Sequence, residues 1–386
     1  MQATPQSAVF YSSVRGWGWG APDYVWPRAA HILLDRGIPV LSIVHPSLLQ
    51  HSEIIALQLR GATILPQPPQ LLNYGRISKL RSWINQRISF KRSLKSHLNK
   101  LKNPHIFINQ GGSYDVLFED ELRQALENKA VSYDLFFHSN NPVTPLPASV
   151  RADAVRLFTN ANRCLFNSEW MRDLTEIQIL KKLENSAFFN YRVRFPYETP
   201  LPWPVDDFLG TVKFAAISRF DTHHKGLDAL LKGLSLLPVD LPPWSLDIYG
   251  HGPDGAYLQE LIVWLGLQLR VTLHPFVENV QSVWATHHIL VFPSRYEGLG
   301  VSMLEAMACG RPVLRTPYGG CSEWILHGQN GFICPASEPA LIADSLSLAL
   351  RSKEKLPAMG QNAFNRIQSQ LPCDPWTVYL EPFRNS

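Results

Sequence analysis

Two glutamates eight positions apart, Glu297 and Glu305, have the clearest chemical potential in this sequence. They flank a short loop with Gly298 and Gly300, which follows the apolar run 288–292 and precedes a helical stretch. Glycines let the backbone turn tightly and approach a ligand, and the N–H groups at the start of a helix suit a phosphate. A carboxylate one to two turns further along can accept both hydroxyls of a ribose. The pattern indicates a nucleotide site.

Residues 294–313, SRYEGLGVSMLEAMACGRPV, resemble the donor-sugar motif of retaining GT-B glycosyltransferases of family 4 (group 1). The shared pattern is Glu-x7-Glu followed by Ala-Met-Ala-x-Gly-x-Pro-Val. The resemblance implies that Glu297 is a catalytic residue that contacts hydroxyls of the donor sugar, and that Glu305 binds the ribose. It also implies that the loop between them binds the donor through Gly298, Leu299, Gly300 and Val301. The alternative is a surface helix with an acid in its first turns, favoured by the helix dipole.

Further donor-binding candidates lie earlier in the second half of the chain. Arg219 ends a strand-like run, and Lys225 follows six positions later at the start of a helix. Departure of a nucleoside diphosphate builds negative charge that fixed cations stabilise, and the resemblance assigns these two residues to the donor diphosphate. Gly252 resembles a loop residue near the phosphates. Phe276 and Val277 resemble the place where the backbone meets the base, although apolar packing explains these two equally well.

The first half of the sequence supplies the candidates for the acceptor side. His138 ends a strand-like run, at the position where open α/β sheets hold their ligands. The resemblance implies that this histidine is a catalytic residue near the reacting centre, whereas the alternative is a buried histidine satisfied by the backbone. The segment 16–20, Gly-Trp-Gly-Trp-Gly, resembles a glycine-rich loop that lines the acceptor cleft. Its acceptor-side candidates are Gly18, Trp19 and Gly20.

Strand-like and helical runs alternate along both halves, which predicts parallel strands with crossover helices. The fold class is therefore α/β, and the resemblance implies the GT-B architecture of two Rossmann-like domains facing a central cleft. A proline-rich stretch at 196–204 reads as a linker. We predict an acceptor-side domain over 1–205, a nucleotide-sugar-binding domain over 206–370 and a segment over 371–386 that returns to the first domain. The predicted strands are 8–13, 38–44, 62–65, 104–109, 132–138, 163–167, 212–218, 245–250, 271–277, 288–294, 312–316 and 331–335.

Composition excludes several classes of protein. The 386 residues are 45% hydrophobic and 18% charged, enough for two cores, and no run of 18 apolar residues could cross a bilayer. The five cysteines are odd in number and lack a CxxC pair, which predicts reduced thiols in a cytoplasmic protein and no zinc site. No Asp-x-Asp motif for a divalent cation is present. We therefore expect no metal and no cofactor, with Arg219 and Lys225 acting in place of the cation.

Positive charge is concentrated in one segment. No acidic residue lies between Glu53 and Asp115, and the segment Arg76–Lys102 carries nine lysines and arginines around an apolar helical pattern. Such a helix can make a peripheral contact with an anionic membrane. The alternative is a helix packed on the sheet with solvated lysines. Nucleic-acid binding is not indicated, because no binding module surrounds the segment.

The expected function is transfer of a sugar from a UDP- or GDP-linked donor to an acceptor hydroxyl, with retention of configuration and without a metal. Base contacts in this family are largely backbone, so the residues do not distinguish the two donors, and the acceptor is left open. Two alternatives remain: a non-catalytic GT-B protein that binds a sugar nucleotide, and a nucleotide-sugar epimerase. A retaining glycosidase would also use two carboxylates, but it has no diphosphate to neutralise. A dinucleotide dehydrogenase lacks the third glycine of its fingerprint.

Overall fold

The computed structural model describes residues 5–13, 19–68, 77–127, 131–143, 146–205 and 210–384, with the side chains of 21–22 and 77–85 outside that description. The chain forms two compact units. Unit 1 comprises Met1–Arg192 together with Cys373–Ser386, and unit 2 comprises Val193–Pro372. Each unit is an α/β domain with its own buried core.

Unit 1 is built on a parallel sheet. Its strands are β1 (Ser7–Ser12), β2 (Val40–Val44), β3 (Thr63–Pro66), β4 (Pro104–Gln110), β5 (Ser132–Phe137), β6 (Arg163–Phe166) and β7 (Ser186–Phe188). They pair in the order β3-β2-β1-β4-β5-β6-β7. Its longer helices are α1 (Trp26–Asp35), α2 (Ser52–Leu59), α3 (Ile77–Lys100), α4 (Asp120–Leu126), α5 (Ala148–Asn160) and α6 (Glu169–Ile179). Short 3₁₀ helices cover Ala21–Tyr24, Pro46–Leu48 and Asp115–Phe118. Strand β7 was not predicted, because it is only three residues long and partly exposed.

Unit 2 repeats the arrangement with six parallel strands. They are β8 (Val212–Ile217), β9 (Trp244–Tyr249), β10 (Val271–His274), β11 (Ile289–Phe292), β12 (Val313–Arg315) and β13 (Gly331–Ile333), in the order β10-β9-β8-β11-β12-β13. The helices are α7 (Thr222–Lys225), α8 (Leu227–Ser235), α9 (Gly255–Trp264), α10 (Val280–Trp284), α11 (Val301–Ala308), α12 (Cys321–Trp324), α13 (Pro339–Arg351) and α14 (Leu356–Gln370), with a 3₁₀ turn at Lys353–Lys355. The strand order reverses between β8 and β11, so loops after these strands border the crevice where such sheets bind ligands. Strand β10 ends at His274 and does not reach the predicted Val277.

The proline-rich linker belongs to unit 2. The buried guanidinium of Arg311 donates to the carbonyl oxygens of Leu201 (3.3 Å) and Pro202 (2.6 Å). It also lies 5.3 Å from the ring centroid of Trp203. These contacts hold the linker on the second unit, so the units divide after Arg192. The predicted boundary lies later, after residue 205.

The C-terminal segment packs on unit 1 through α15 (Thr377–Leu380) and the 3₁₀ turn Glu381–Phe383. The ring of Tyr379 stacks on Phe136 at 4.3 Å, and its hydroxyl donates to Asn109 Oδ1 at 2.6 Å. Arg163 donates to the carbonyl of Val378 at 2.9 Å and pairs with the buried Asp134. A segment distant in sequence thus completes the core of the first unit.

Helix α3 carries the basic segment. In its described half, Phe90 and Leu94 are buried in the core of unit 1, and Leu98 packs partly against it. Four cations on the same half are exposed: Lys91, Arg92, Lys95 and Lys100. A fifth, Arg87, pairs with Glu121 at 2.6 Å. From Phe90 onward the apolar face is therefore used in the core, as the packed-helix alternative predicts, whereas Ile88 is 44% exposed. The positions Arg76, Lys79 and Arg81 lie outside the described residues or side chains. Within the described part of the chain, no helix is long and apolar enough to cross a membrane.

Candidate active site

The loop between β11 and α11 turns at Gly300. This residue has φ +83°, and a Cβ added there would lie 2.9 Å from Cε1 of Phe292. Only glycine adopts this conformation without strain. Leu299 is fully buried beside it, and α11 begins at the next residue, Val301. The loop predicted to bind the donor, from Gly298 to Val301, therefore leads directly from a central strand into a helix.

Glu297 is a buried anion held by a cation. Its Oε1 contacts Lys225 Nζ and accepts a hydrogen bond from Ser294 Oγ at 3.0 Å. Burial raises the pKa of Glu297, but the charge of Lys225 outweighs burial and lowers the pKa to about 2. The carboxylate is therefore ionised at neutral pH. It can accept hydrogen bonds from sugar hydroxyls, and it is a poor proton donor.

Both predicted diphosphate cations lie in the connection between β8 and α8. Lys225 ends α7 and lies 5.5 Å from the ring centroid of Phe292. Arg219 contacts the carboxylate of Asp221, and its guanidinium lies 3.4 Å from His224 Nδ1. Each cation thus contacts a carboxylate, so an incoming diphosphate would compete with Glu297 and Asp221 for them.

Glu305, the predicted ribose ligand, forms a bidentate ion pair with Arg194. The Nε of Arg194 contacts Oε1, and its Nη2 donates to Oε2 at 3.0 Å. Glu305 is 1% exposed on the buried face of α11. Burial raises the pKa of this carboxyl group, and the guanidinium offsets the rise only in part. Arg194 was not predicted, because it lies 111 positions from its partner, just before the stretch that reads as a linker.

A buried arginine beneath the donor loop was also missed. Arg315 ends β12 with no measurable exposure, and it donates to the carbonyl oxygens of Leu299 (2.9 Å), Thr316 (3.2 Å) and Tyr318. Its guanidinium lies 5.4 Å from the ring centroid of Phe292. The only signal in the sequence is a charged residue at the end of an otherwise apolar strand. Its hydrogen bonds fix the backbone on which the donor loop rests.

We expect Gly319→Ala to disrupt the donor loop. Gly319 has φ +66°, and an added Cβ would lie 1.7 Å from the carbonyl oxygen of Gly298 and 2.6 Å from that of Glu297. The matched control is Gly328→Ala, since Gly328 has φ +76° but nothing within 4 Å of the added atom. The control should lose about 1 kcal/mol of stability from backbone strain alone. Gly319→Ala should lose more and also lose nucleotide binding, measured by denaturant unfolding and calorimetric titration. Equal effects of the two substitutions would contradict the predicted clash.

The glycine-rich loop after β9 lies against the connection that carries the cations. The N–H of Phe220 donates to the carbonyl of His251 at 2.9 Å, which places Gly252 beside the residue that follows Arg219. Phe276 is 51% exposed, and its ring meets that of His251 edge-on at 6.0 Å. The structure therefore brings Phe276 next to the Gly252 loop, and Val277 follows it in sequence. The exposure of Phe276 weighs against the apolar-packing alternative for that residue.

His138 lies at the end of β5 in unit 1, with both ring nitrogens engaged. Its Nδ1 is 2.8 Å from the hydroxyl of Tyr191, and its Nε2 is 3.3 Å from Asn109 Oδ1. Burial lowers the pKa of His138 to about 3, so the ring is neutral. This arrangement resembles the buried-histidine alternative, except that side chains and not the backbone satisfy the ring.

The acceptor-side candidates lie at the start of the first unit. Trp19 stacks on His51 at 3.7 Å with the two rings nearly parallel, and it meets Tyr24 edge-on. The N–H of Gly20 donates to Asp23 Oδ2 at 3.0 Å, at the start of a 3₁₀ helix. Gly18 and the neighbouring Trp17 lie outside the described residues. One face of Trp19 is thus covered within its own unit.

Comparison with known proteins agrees with the geometry of unit 2. Residues 208–366, which contain both glutamates and both diphosphate cations, match the family model for glycosyl transferases group 1. The second unit is a group 1 glycosyltransferase domain. The chain is 31% identical over 146 residues to the N-acetyl-alpha-D-glucosaminyl L-malate synthase of Bacillus anthracis, a match that covers 36% of this chain and 38% of that protein. It is 30% identical over 145 residues to a GDP-mannose-dependent alpha-(1-6)-phosphatidylinositol monomannoside mannosyltransferase of Mycolicibacterium smegmatis, covering 35% and 38%. The chain thus spans about two fifths of the length of these relatives.

Solved structures resemble this chain over nearly its whole length. Anabaena HepE in complex with UDP and glucose superposes with a TM-score of 0.71 at 17% identity, covering 98% of this chain and all of that one. A sucrose-phosphate synthase from Thermosynechococcus elongatus superposes with a TM-score of 0.71 at 18% identity, over 98% of this chain and all of its own. At such identities the likeness shows the fold. The chain has the GT-B fold, with two parallel-sheet α/β domains, as the sequence analysis predicted.

Proposed function

We propose that this protein moves a sugar from a nucleoside-diphosphate sugar to an acceptor hydroxyl, with retention of configuration and without a metal ion. One observation carries the proposal: the contact between Lys225 and the ionised Glu297 beside the glycine turn of α11. The pair places a fixed cation and a fixed anion where a strand leads into a helix. These are the charges that a leaving diphosphate and a sugar hydroxyl would require.

The leaving group explains the cations. As the bond between the sugar and the diphosphate breaks, negative charge develops on the phosphate oxygens, and preorganised donors stabilise that charge. Lys225 provides a point charge and Arg219 a planar fork for phosphate oxygens. Both lie in a short connection between β8 and α8, and each would exchange or share its contact with a carboxylate when the diphosphate binds.

Glu297 would orient the sugar and not act as a covalent nucleophile. With its pKa lowered to about 2 and its Oε1 held by Lys225 and Ser294, the carboxylate is stabilised as an acceptor. Retention would then follow from attack on the same face as the departing diphosphate, which would take the acceptor proton. For His138 we propose a positioning role, since both of its ring nitrogens are engaged within unit 1.

The donor is proposed to be a UDP- or GDP-linked sugar. HepE, which shares the fold, was solved with UDP and glucose, and the mycobacterial relative is GDP-mannose-dependent. Glu305 would accept the ribose hydroxyls common to both nucleotides. Phe276, exposed beside the Gly252 loop, offers a ring face on which either base could rest.

A donor screen tests the function. The full chain is incubated with UDP-glucose, UDP-N-acetylglucosamine, GDP-mannose and ADP-glucose, with and without EDTA, and thermal shift and released nucleoside diphosphate are measured. We expect one donor to stabilise the protein and to be slowly hydrolysed, in both conditions, and we expect Glu305→Ala to abolish the shift. Stabilisation without hydrolysis, and without transfer to any acceptor in a hydroxyl-compound panel, would favour the non-catalytic binding protein. An epimerised sugar nucleotide would identify an epimerase, and loss of activity in EDTA would refute metal independence.

We also propose a location for the protein. Four of its cysteines are buried free thiols and Cys373 is an exposed one, which suits the reducing cytoplasm. The exposed cations of α3 would attract the solvent-facing side of this helix to an anionic membrane surface. Because Phe90 and Leu94 are used in the core, the contact would be electrostatic and would not insert the helix.

We expect Lys91→Gln with Lys95→Gln to weaken binding to anionic vesicles by about 30-fold at low salt, since each lysine near such a surface contributes about 1 kcal/mol. The measurement is co-sedimentation with phosphatidylserine-containing vesicles, compared with pure phosphatidylcholine. The control, Lys181→Gln with Lys355→Gln, removes the same charge from exposed positions outside α3. If both double variants bind equally, or the wild type does not prefer anionic vesicles, this face does not contact membranes.

A further inference from the structure

His224 is a second polar group beside Glu297, and its hydrogen-bonding state follows from its neighbours. Arg219 Nη2 lies 3.4 Å from His224 Nδ1, and a guanidinium can only donate, so Nδ1 is the acceptor. Burial, followed by the charge of Lys225, lowers the pKa of His224 to about 4. The ring is therefore neutral near pH 7, and its one proton lies on Nε2.

This Nε2–H group is buried and has no hydrogen-bond partner among the described residues. It lies 4.0 Å from Glu297 Oε1, which is too far for a direct hydrogen bond. Two atoms at this separation can both hydrogen-bond to one hydroxyl oxygen that lies about 2.8 Å from each. Such a hydroxyl would donate its proton to the carboxylate and accept the one on Nε2, and both buried groups would then be satisfied.

We propose that His224 is a donor-binding residue that holds a hydroxyl of the transferred sugar together with Glu297. The inference rests on the proposed function, because it assumes that a sugar occupies the space beside Glu297. It adds a neutral hydrogen-bond donor to a site otherwise described by charged groups. Together, His224 and Glu297 would select a hydroxyl that both donates and accepts a hydrogen bond, which a sugar deoxygenated at that position lacks.

The position of the ring supports this role. His224 stacks on Tyr296 at 4.3 Å with an interplanar angle of 14°, and its side chain is 17% exposed. The stack holds the ring in place, while the adjacent His223 is exposed and meets Tyr296 only edge-on at 6.1 Å. The chain therefore offers a neighbouring histidine as a matched control.

The test measures dissociation constants of the full chain for UDP-glucose, or for GDP-mannose where the donor screen selects it, and for the corresponding free diphosphate. The variants are His224→Phe, His224→Gln and the control His223→Phe. Phenylalanine keeps the stack and removes both nitrogens, whereas glutamine returns an N–H near the position of Nε2. We expect His224→Phe to weaken nucleotide-sugar binding about tenfold. Free diphosphate binding should change far less, because Arg219 loses only its 3.4 Å contact with Nδ1 and keeps its contact with Asp221. His224→Gln should recover most of the loss, and His223→Phe should have no effect.

Monodeoxy analogues of the same nucleotide sugar then locate the hydroxyl. One analogue should bind wild type and His224→Phe with equal affinity, since its missing hydroxyl is the one that His224 holds. Equal weakening for the sugar nucleotide and the free diphosphate would overturn the proposal, because His224 would then contact phosphate. Failure of His224→Gln to recover binding would also overturn it. A wild-type protein that binds no nucleotide sugar would instead refute the proposed function itself.

Discussion

Replacing Lys225 with methionine is expected to lower turnover by about 100-fold or more and to destabilise the protein by about 3 kcal/mol at neutral pH. The two effects have different causes. Turnover falls because the departing diphosphate loses a fixed cation. Stability falls because Glu297, 7% exposed, keeps its charge and loses the contact that balances it.

The pH dependence separates these causes. In the wild type, the lowered pKa of Glu297 means that its ionised form stabilises the fold above the ordinary pKa of 4.5, and this contribution is lost as the pH falls towards about 2. In Lys225→Met, burial raises the pKa of Glu297, so destabilisation is full at high pH and fades once the carboxyl is protonated. The difference in Tm between variant and wild type should therefore be smaller near about pH 5 than near about pH 8.

A second substitution, at Glu297, completes a double-mutant cycle. Lys225→Met combined with Glu297→Gln removes the buried charge and should recover most of the stability at neutral pH, measured by denaturant unfolding. Turnover should not recover, because the cation is still missing and the carboxylate that orients the sugar has been replaced as well. Recovery of turnover in the double variant would show that Lys225 acts only by balancing Glu297, which would contradict its proposed role at the diphosphate.

Glu305→Gln is expected to weaken binding of a ribonucleoside diphosphate by about 100-fold, because hydrogen bonds from two hydroxyls to a buried carboxylate each contribute about 1.5 kcal/mol or more. Arg194 holds both carboxylate oxygens of Glu305 in the structure, so the ribose must displace or share this guanidinium. The amide retains one acceptor and turns its other end, a donor, towards the donors of Arg194.

The measurement is calorimetric titration with UDP and with 2′,3′-dideoxy-UDP, or with the guanosine pair where GDP is the nucleotide. Wild type should prefer the ribonucleotide strongly, and Glu305→Gln should bind the two ligands almost equally. Glu260→Gln, at an exposed position of α9, serves as the control for loss of one negative charge. A variant that loses affinity equally for both ligands would place Glu305 away from the ribose.

Much of unit 2 was predictable because its signals are local. Apolar runs of strand length, glycines at the turn and the spacing of Glu297 and Glu305 all lie within short stretches, where periodicity and backbone preference act directly. The predicted strands coincide with β8 to β13 to within a few residues. The family comparison over residues 208–366 then agreed with the motif from which the prediction began.

The predictions were weaker where an element depends on distant contacts. The linker at 196–204 was assigned to the first domain, because a high proline content indicates a connecting segment but not which sheet the segment packs on. Likewise, the amphipathic pattern of α3 could not show whether its apolar face meets a sheet or a membrane. Only the contacts of Phe90 and Leu94 with the core decide this for the described half.

The sequence by itself determined the class of the fold, the position of the donor loop and the residue types that could bind a nucleotide sugar. The tertiary structure decided the partner of each charge. Lys225 and Glu297 are 72 positions apart, and Arg194 and Glu305 are 111 positions apart. The physical reason is that backbone preferences act over a few residues, whereas the ionisation and orientation of a buried group depend on whichever side chains the fold brings against it.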